Sequence, residues 1–263
     1  MELLKPDYYD EFTCIADKCT ISCCREWKIN IDDETYRNWK TIQPPSEVPG
    51  HRSCLQAYTM KKDGSRIMKM TEEHDCPFLA KNRLCYLVSA YGDSMLSETC
   101  QIFPREIHEF QDHKEATMMP CCPAVLDIWK EKKRIAFPET PKEKEQPLFL
   151  VRRKVMDLIY EDLLRSFLAN EVYSDLLTPE GDLEDALVHM QWIGMEYATI
   201  RQAVFLRWQK DGRGSLPYET LRDYMVVISR MTGYEEDDIR EYLENSFEEL
   251  LWEWGYFALI TGK

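Results

Sequence analysis

The sequence predicts a mainly α protein in two parts. Residues 1–140 form an irregular, cysteine-rich metal-binding region with a few short strands, and residues 141–263 form an all-α helical domain. Three observations predict this. All ten cysteines lie between Cys14 and Cys122. The stretch FPETPKEKEQP, residues 137–147, mixes three prolines with alternating charge and reads as an exposed connection. Beyond it, apolar residues recur at helical spacing.

The N-terminal elements are short. In EWKINI, Trp27, Ile29 and Ile31 alternate on one face, a brief strand signal. In DDETYRNWK, Asp32 is placed to cap a helix whose first turn carries Asp33 and Glu34, the charge that the helix dipole favours. SRIMKM reads as another strand. KNRLC reads as a turn entering a short helix that runs through Tyr91 and ends at Gly92. Pro104 and Pro123 are expected to break further elements after Cys100 and Cys122.

Four helices are expected in the C-terminal part. The first carries Val151, Val155, Leu158, Ile159 and Leu163, with Asp162 beside them. The second repeats Leu183, Leu187, Met190, Ile193, Tyr197, Ile200 and Val204 as an apolar stripe. His189, Trp192 and Glu196 read as its polar flank, or as one wall of a pocket. The third spans 217–231 and stops at Gly233. The fourth, in EEDDIREYLENSFEELLWEWGYFALI, opens with four acids.

A chain of 263 residues with 44% apolar content buries a core without covalent help. Net charge is −14, from 33 basic and 47 acidic residues. That balance disfavours nucleic acid, whose phosphates need clustered Lys and Arg; the short basic run Lys130–Lys133–Arg134 reads as a solvated helix end. No stretch approaches eighteen apolar residues, so no membrane span is expected. The opening MELLKPDYYDEF has neither the basic nor the apolar part of a secretory signal. A cytoplasmic location follows as the expectation, and in reducing surroundings clustered thiols serve metals or redox chemistry more often than disulfides.

The thiol spacing is Cys14-x4-Cys19-x3-Cys23-Cys24, then Cys54, Cys76-x8-Cys85, Cys100 and Cys121-Cys122. A zinc ribbon would show paired CxxC motifs, and none occurs. The CxxxCxxC pattern of a radical S-adenosylmethionine enzyme begins at Cys19 and Cys23, but Glu26 stands at its third position. There is no Ser-His-Asp order, phosphate loop or HExxH motif. Spacing alone leaves disulfides, a metal site and a redox centre open.

The runs FTCIADKCTISCCREWKINID, CPFLAKNRLCYL, LSETCQIFPREI and CCPAV resemble the flagellin lysine-N-methylase family over about residues 8–126. More distantly, they resemble a wider family of cysteine-rich zinc- or iron-chelating domains. Cys19, Cys23, Cys24, Cys76, Cys85 and Cys100 with Phe103-Pro104-Arg105 carry the shared pattern. Cys14 after Phe12-Thr13, Trp27 and Cys122-Pro123 carry the methylase-like additions.

The resemblance implies a cluster-bearing enzyme, with [4Fe-4S] as the expected cofactor, that transfers a methyl group from S-adenosylmethionine to lysines of flagellin. It implies metal ligation by Cys14, Cys19, Cys23, Cys24, Cys76, Cys85, Cys100 and Cys122, and a cofactor contact from Arg105, whose alternative role is to pin the loop after Cys100. Cys54 and Cys121 fall outside the pattern and read as bystanders. No glycine-rich strand–helix turn is present to bind S-adenosylmethionine, so an iron without a protein ligand is the expected anchor for its amino and carboxylate groups. Glu98, Glu106, His108 and Tyr91 are the candidate proton acceptors, and none is marked by sequence alone. The rival functions are a non-catalytic zinc- or iron-binding module and an electron-transfer protein.

Overall fold

A computed structural model describes residues 1–25, 28–62, 64–132, 134–141, 146–157, 163–212 and 214–232, with the side chains of 154–157 left out. The chain is mainly α. It packs as two compact units: Cys14–Phe103, and Met1–Thr13 together with 104–263. The boundary suggested near residue 140 falls inside the second unit. Trp27, Lys133, Leu158, Ile159, Asp162, Gly233 and the fourth helix lie outside the described residues, as does the side chain of Val155. No described helix is long and apolar enough to cross a membrane.

In the unit Cys14–Phe103, helix α1 (Asp33–Asn38) starts where the capping residue places it. Asp32 accepts a hydrogen bond from the Thr35 amide at 2.8 Å. Strands β2 (Thr59–Lys62) and β3 (Ser65–Met68) form a hairpin, and Gly64 supplies the φ of +76° that its turn demands. The Ile29–Ile31 segment pairs with β3 only briefly: the Ile31 amide reaches Arg66 O at 2.8 Å and the Met68 amide reaches Ile29 O at 2.9 Å. Its side chains meet Trp39, Leu55, Tyr58 and Phe78 in the core. Helix α2 (Tyr86–Tyr91) ends at Gly92, φ +83°, and α3 (Glu98–Ile102) ends before Pro104.

The second unit holds a three-stranded sheet in the order β1 (Glu2–Leu4), β5 (His113–Met118), β4 (Arg105–Glu109), with β1 parallel and β4 antiparallel to β5. The polar character of HKEATM hides β5 from hydrophobic patterning, although it is the central strand. Its Glu115 is buried because Arg152 in α5 (Pro147–Asp157) grips it with two bonds, at 2.6 and 2.7 Å. Thr140 Oγ1 donates to the same carboxylate at 2.9 Å. Burial pushes the Glu115 carboxyl up, but the Arg152 guanidinium outweighs it and holds the carboxyl below its usual range.

Pro123 corrects the expectation of a break. It opens α4 (Pro123–Lys132), where a missing N–H costs nothing because the first helical amides have no intrahelical partner. Helices α6 (Leu163–Ser174), α7 (Leu183–Lys210) and α8 (Tyr218–Thr232) follow. Asp182 and Asp185 form a capping box that starts α7. The expected stripe on α7 holds at Met190, Ile193 and Ile200, which pack inward or are buried, but not at its start: Leu183 is 62% exposed and Leu187 38%, while His189, Gln191 and Glu196 are buried. Packing against both α6 and α8 buries more than one stripe, and it encloses polar residues, of which Glu196 accepts from Thr232 of α8 at 3.0 Å.

Replacing Arg152 with Met should leave Glu115 buried without its partner and cost about 3–5 kcal/mol, read by chemical denaturation. Because the Glu115 carboxyl is depressed in the folded chain, the pair stabilises above the unfolded carboxyl's ordinary pKa, about 4.3. That stability is lost as pH falls through the folded value.

Candidate metal centre

Four separate segments of the unit Cys14–Phe103 deliver thiols to one place. The first carries Cys23 and Cys24 in a turn, and it is fixed to the second at Cys76. The Cys76 amide donates to Cys24 O at 2.8 Å, and the next residues outward form a fork: Arg25 grips Asp75 through two bonds, at 2.8 and 3.0 Å. The third segment holds Cys85 at the residue before α2, where the Tyr86 amide donates to Phe78 O at 2.8 Å. The fourth places Cys100 within α3. That helix is anchored by Asp32, whose second oxygen accepts from the Glu98 amide at 2.9 Å, so one carboxylate caps α1 and locates α3.

The thiols act on one another. Cys24 is pushed far up, first by the Cys23 side chain, then by burial, and then by the charges of Cys76 and Cys85. Burial first, and the other sulfurs after it, raise Cys76 and Cys85. Cys100 is pushed up to about 11 by burial, with Cys23 and Cys85 adding to it. Each negative sulfur is costly next to the others unless a cation compensates. Hydrogen-bond donors also point at the sulfurs: the amides of Leu87 and Val88 at Cys85, the Phe78 amide at Cys76 and the Ser97 hydroxyl at Cys100. Amide-to-sulfur bonds of this kind stabilise thiolates and tune thiolate-ligated clusters.

Five thiols (Cys23, Cys24, Cys76, Cys85 and Cys100) suffice for a soft metal or an iron–sulfur cluster. Among the described residues, no three of them bring their sulfurs within 4.8 Å of one another. A single tetrahedral zinc, with bonds of about 2.3 Å, would hold its sulfurs about 3.8 Å apart.

Cys14 is exposed, and the Cys19 thiol donates to Ile21 O at 3.1 Å. Cys122 belongs to the second unit, at the start of α4, beside buried Cys121. None of the ten cysteines forms a disulfide. Arg105 opens β4 and lies over the rings of Phe12 at 5.3 Å and Tyr9 at 5.8 Å. Tyr91 donates to Gln43 O at 2.8 Å, and Glu98 is exposed in the first turn of α3. Glu106 and His108 lie in the second unit, where Asp175 joins them. Asp175 carries no motif; its grouping with β4 follows from packing alone.

In metal-free chain at pH 8, iodoacetamide should label exposed Cys14 first. Cys100 should react about 100-fold more slowly than an ordinary thiol, because a rise from 9.0 to about 11 depletes its thiolate by that factor. Peptide mass spectrometry over time reads the order. Equal labelling of Cys14 and Cys100 would contradict the buried arrangement.

Comparison with known proteins places this geometry in context. No family model matches the chain, and no solved structure matches it. Two curated proteins named lysine-N-methylase, from Salmonella choleraesuis and Salmonella typhimurium, are each 26% identical to it over 170 residues. The match covers 61% of this chain and 41% of either relative, so the chain spans less than half the length of those proteins. The flagellar biosynthetic protein FliU of Salmonella muenchen is 25% identical over 132 residues, 46% of this chain and 72% of that protein. The resemblance read from the cysteine runs is thus matched by named proteins: the chain is similar to the lysine-N-methylase and FliU proteins over the length it shares with them.

Proposed function

We propose that the chain is a protein lysine N-methyltransferase that acts on flagellin with S-adenosylmethionine as methyl donor and a [4Fe-4S] cluster as cofactor. The observation that carries this reading is the convergence of Cys23, Cys24, Cys76, Cys85 and Cys100, in a chain whose relatives are named for lysine methylation and for the flagellum. Four of these thiols, or three with one iron left to the substrate side, would hold the cluster. When bound, a cluster with such an iron supplies an anchor for the amino and carboxylate groups of S-adenosylmethionine.

The rest falls to the chain itself. The Arg25–Asp75 fork and the Cys76–Cys24 backbone bond hold two ligand segments in register before any cofactor arrives. Buried Phe78 and Leu87 flank the thiols and keep water from them. A lysine ammonium, with an ordinary pKa of about 10.4, must lose a proton before its nitrogen can attack a methyl group. In the thiol unit, Glu98 offers an exposed carboxylate two residues from Cys100. Tyr91 is a weaker acceptor there, because its hydroxyl already donates to Gln43 O.

The test is anaerobic reconstitution with iron and sulfide, then incubation with methyl-labelled S-adenosylmethionine and flagellin, read by intact-protein mass. The expected result is brown protein and a gain of whole methyl groups on flagellin; Cys76→Ser should lose both the colour and the gain. A brown protein that leaves flagellin unchanged would defeat the methyltransferase reading. A colourless protein with stoichiometric zinc would point to a non-catalytic metal-binding module.

A further inference from the structure

A second set of ligand-type side chains lies in the unit formed by Met1–Thr13 and 104–263. Glu106 and His108 are two residues apart on β4, so both side chains leave the same face of the strand. Asp175 follows the last residue of α6. One oxygen of Glu106, one ring nitrogen of His108 and one oxygen of Asp175 all lie within 4.8 Å of one another. Behind them stand Glu171, one helical turn before Asp175, and Glu196 of α7; they are 5% and 6% exposed. Among the described residues, no Lys or Arg comes within ion-pair distance of Glu171, Asp175 or Glu196. Buried carboxylates without a basic partner are costly, and a bound cation removes that cost.

Polar side chains around the group already fix its geometry. Ser174 Oγ accepts from Thr117 Oγ1 at 3.0 Å and donates to Glu106 at 2.8 Å. Asn170 donates to Glu171 at 3.2 Å, and Thr232 donates to Glu196 at 3.0 Å. Ligating carboxylates are typically oriented by such second contacts. A ring nitrogen also points inward with nothing to bond. His108 Nε2 is buried without a hydrogen-bond partner and sits 3.7 Å from Glu106 Oε1, too far for a hydrogen bond. Two ligands of a tetrahedral ion with bonds of about 2.0–2.1 Å stand about 3.4 Å apart, close to this spacing. The hydroxyl of Ser229, a residue only 8% exposed, faces Glu196 behind the group.

We propose that Glu106, His108 and Asp175 bind a divalent first-row metal ion, with Glu171 and Glu196 as the carboxylates behind it. Two oxygens and one imidazole suit manganese, iron(II) or zinc, whereas the thiol group in the other unit suits softer chemistry. The Glu106 and His108 side chains are 31% and 20% exposed, which opens the site to solvent on the β4 side while Glu171 and Glu196 close the other. This site is independent of the lysine methylation reading, and it needs neither S-adenosylmethionine nor flagellin.

Manganese(II) is the discriminating probe, because thiolates hold it poorly. The full chain, stripped with chelator, is titrated with manganese(II), and the loss of the aqueous ion's electron paramagnetic resonance signal is followed. One equivalent should bind in the micromolar range. Asp175→Asn and His108→Gln should each weaken binding at least about tenfold, while Cys76→Ser should leave it unchanged. If circular dichroism shows that Asp175→Asn is unfolded, Glu106→Gln at the more exposed edge decides instead. Binding only at millimolar manganese, equal binding by the ligand variants, or loss of binding in Cys76→Ser would overturn the assignment.

Discussion

Like charges brought together in a dry place must stay protonated or acquire a cation, and the chain meets this constraint in each of its two units. Cys23 and burial push up Cys24, Cys76, Cys85 and Cys100, and burial followed by neighbouring carboxylates pushes up Glu171 and Asp175. Evolution discards buried unpaired charge unless it serves a purpose, because neutral apolar side chains of similar size pack at no such cost. The two sets differ in chemistry. Sulfur selects soft or polynuclear centres, and oxygen with imidazole selects harder single ions.

The scaffolds that hold these groups are built differently. The thiol unit is a collection of short elements, and its precision comes from a few cross-links between segments distant in sequence. The Arg25–Asp75 fork and the double use of Asp32 are the clearest examples. A region with few long elements gains much of its order from whatever its side chains grip. The second unit rests instead on a sheet and long helices. Its buried Arg152–Glu115 pair ties the central strand to α5, so its carboxylate set sits on a frame that does not need an ion to exist.

Local chemistry was legible. Asp32 before two acids marked the start of α1, and Gly92 marked the end of α2. The cysteine runs pointed to a metal, and Cys23, Cys24, Cys76, Cys85 and Cys100 lie close enough to influence one another's thiols. Cys122 lies in the other unit. Other signals misled because one residue type serves two ends. Pro123 starts a helix where it had looked like a stop, and the leucines of α7 mark a face that packing leaves exposed. Strand β5 was masked by Lys114 and Glu115; the partner that buries Glu115, Arg152, comes from a helix 37 residues on.

By itself the sequence determined what acts over a few residues: caps, turns, helix periods and the supply of thiols at close spacing. Tertiary structure alone decided which thiols meet, where the unit boundary falls and that β4, α6 and α7 bring Glu106, His108, Asp175, Glu171 and Glu196 together. The physical reason is range. Capping and periodicity are settled by neighbours along the chain, whereas the grouping of a strand residue with carboxylates some seventy positions away is set by how sheet and helices bury their apolar faces, which no short stretch encodes.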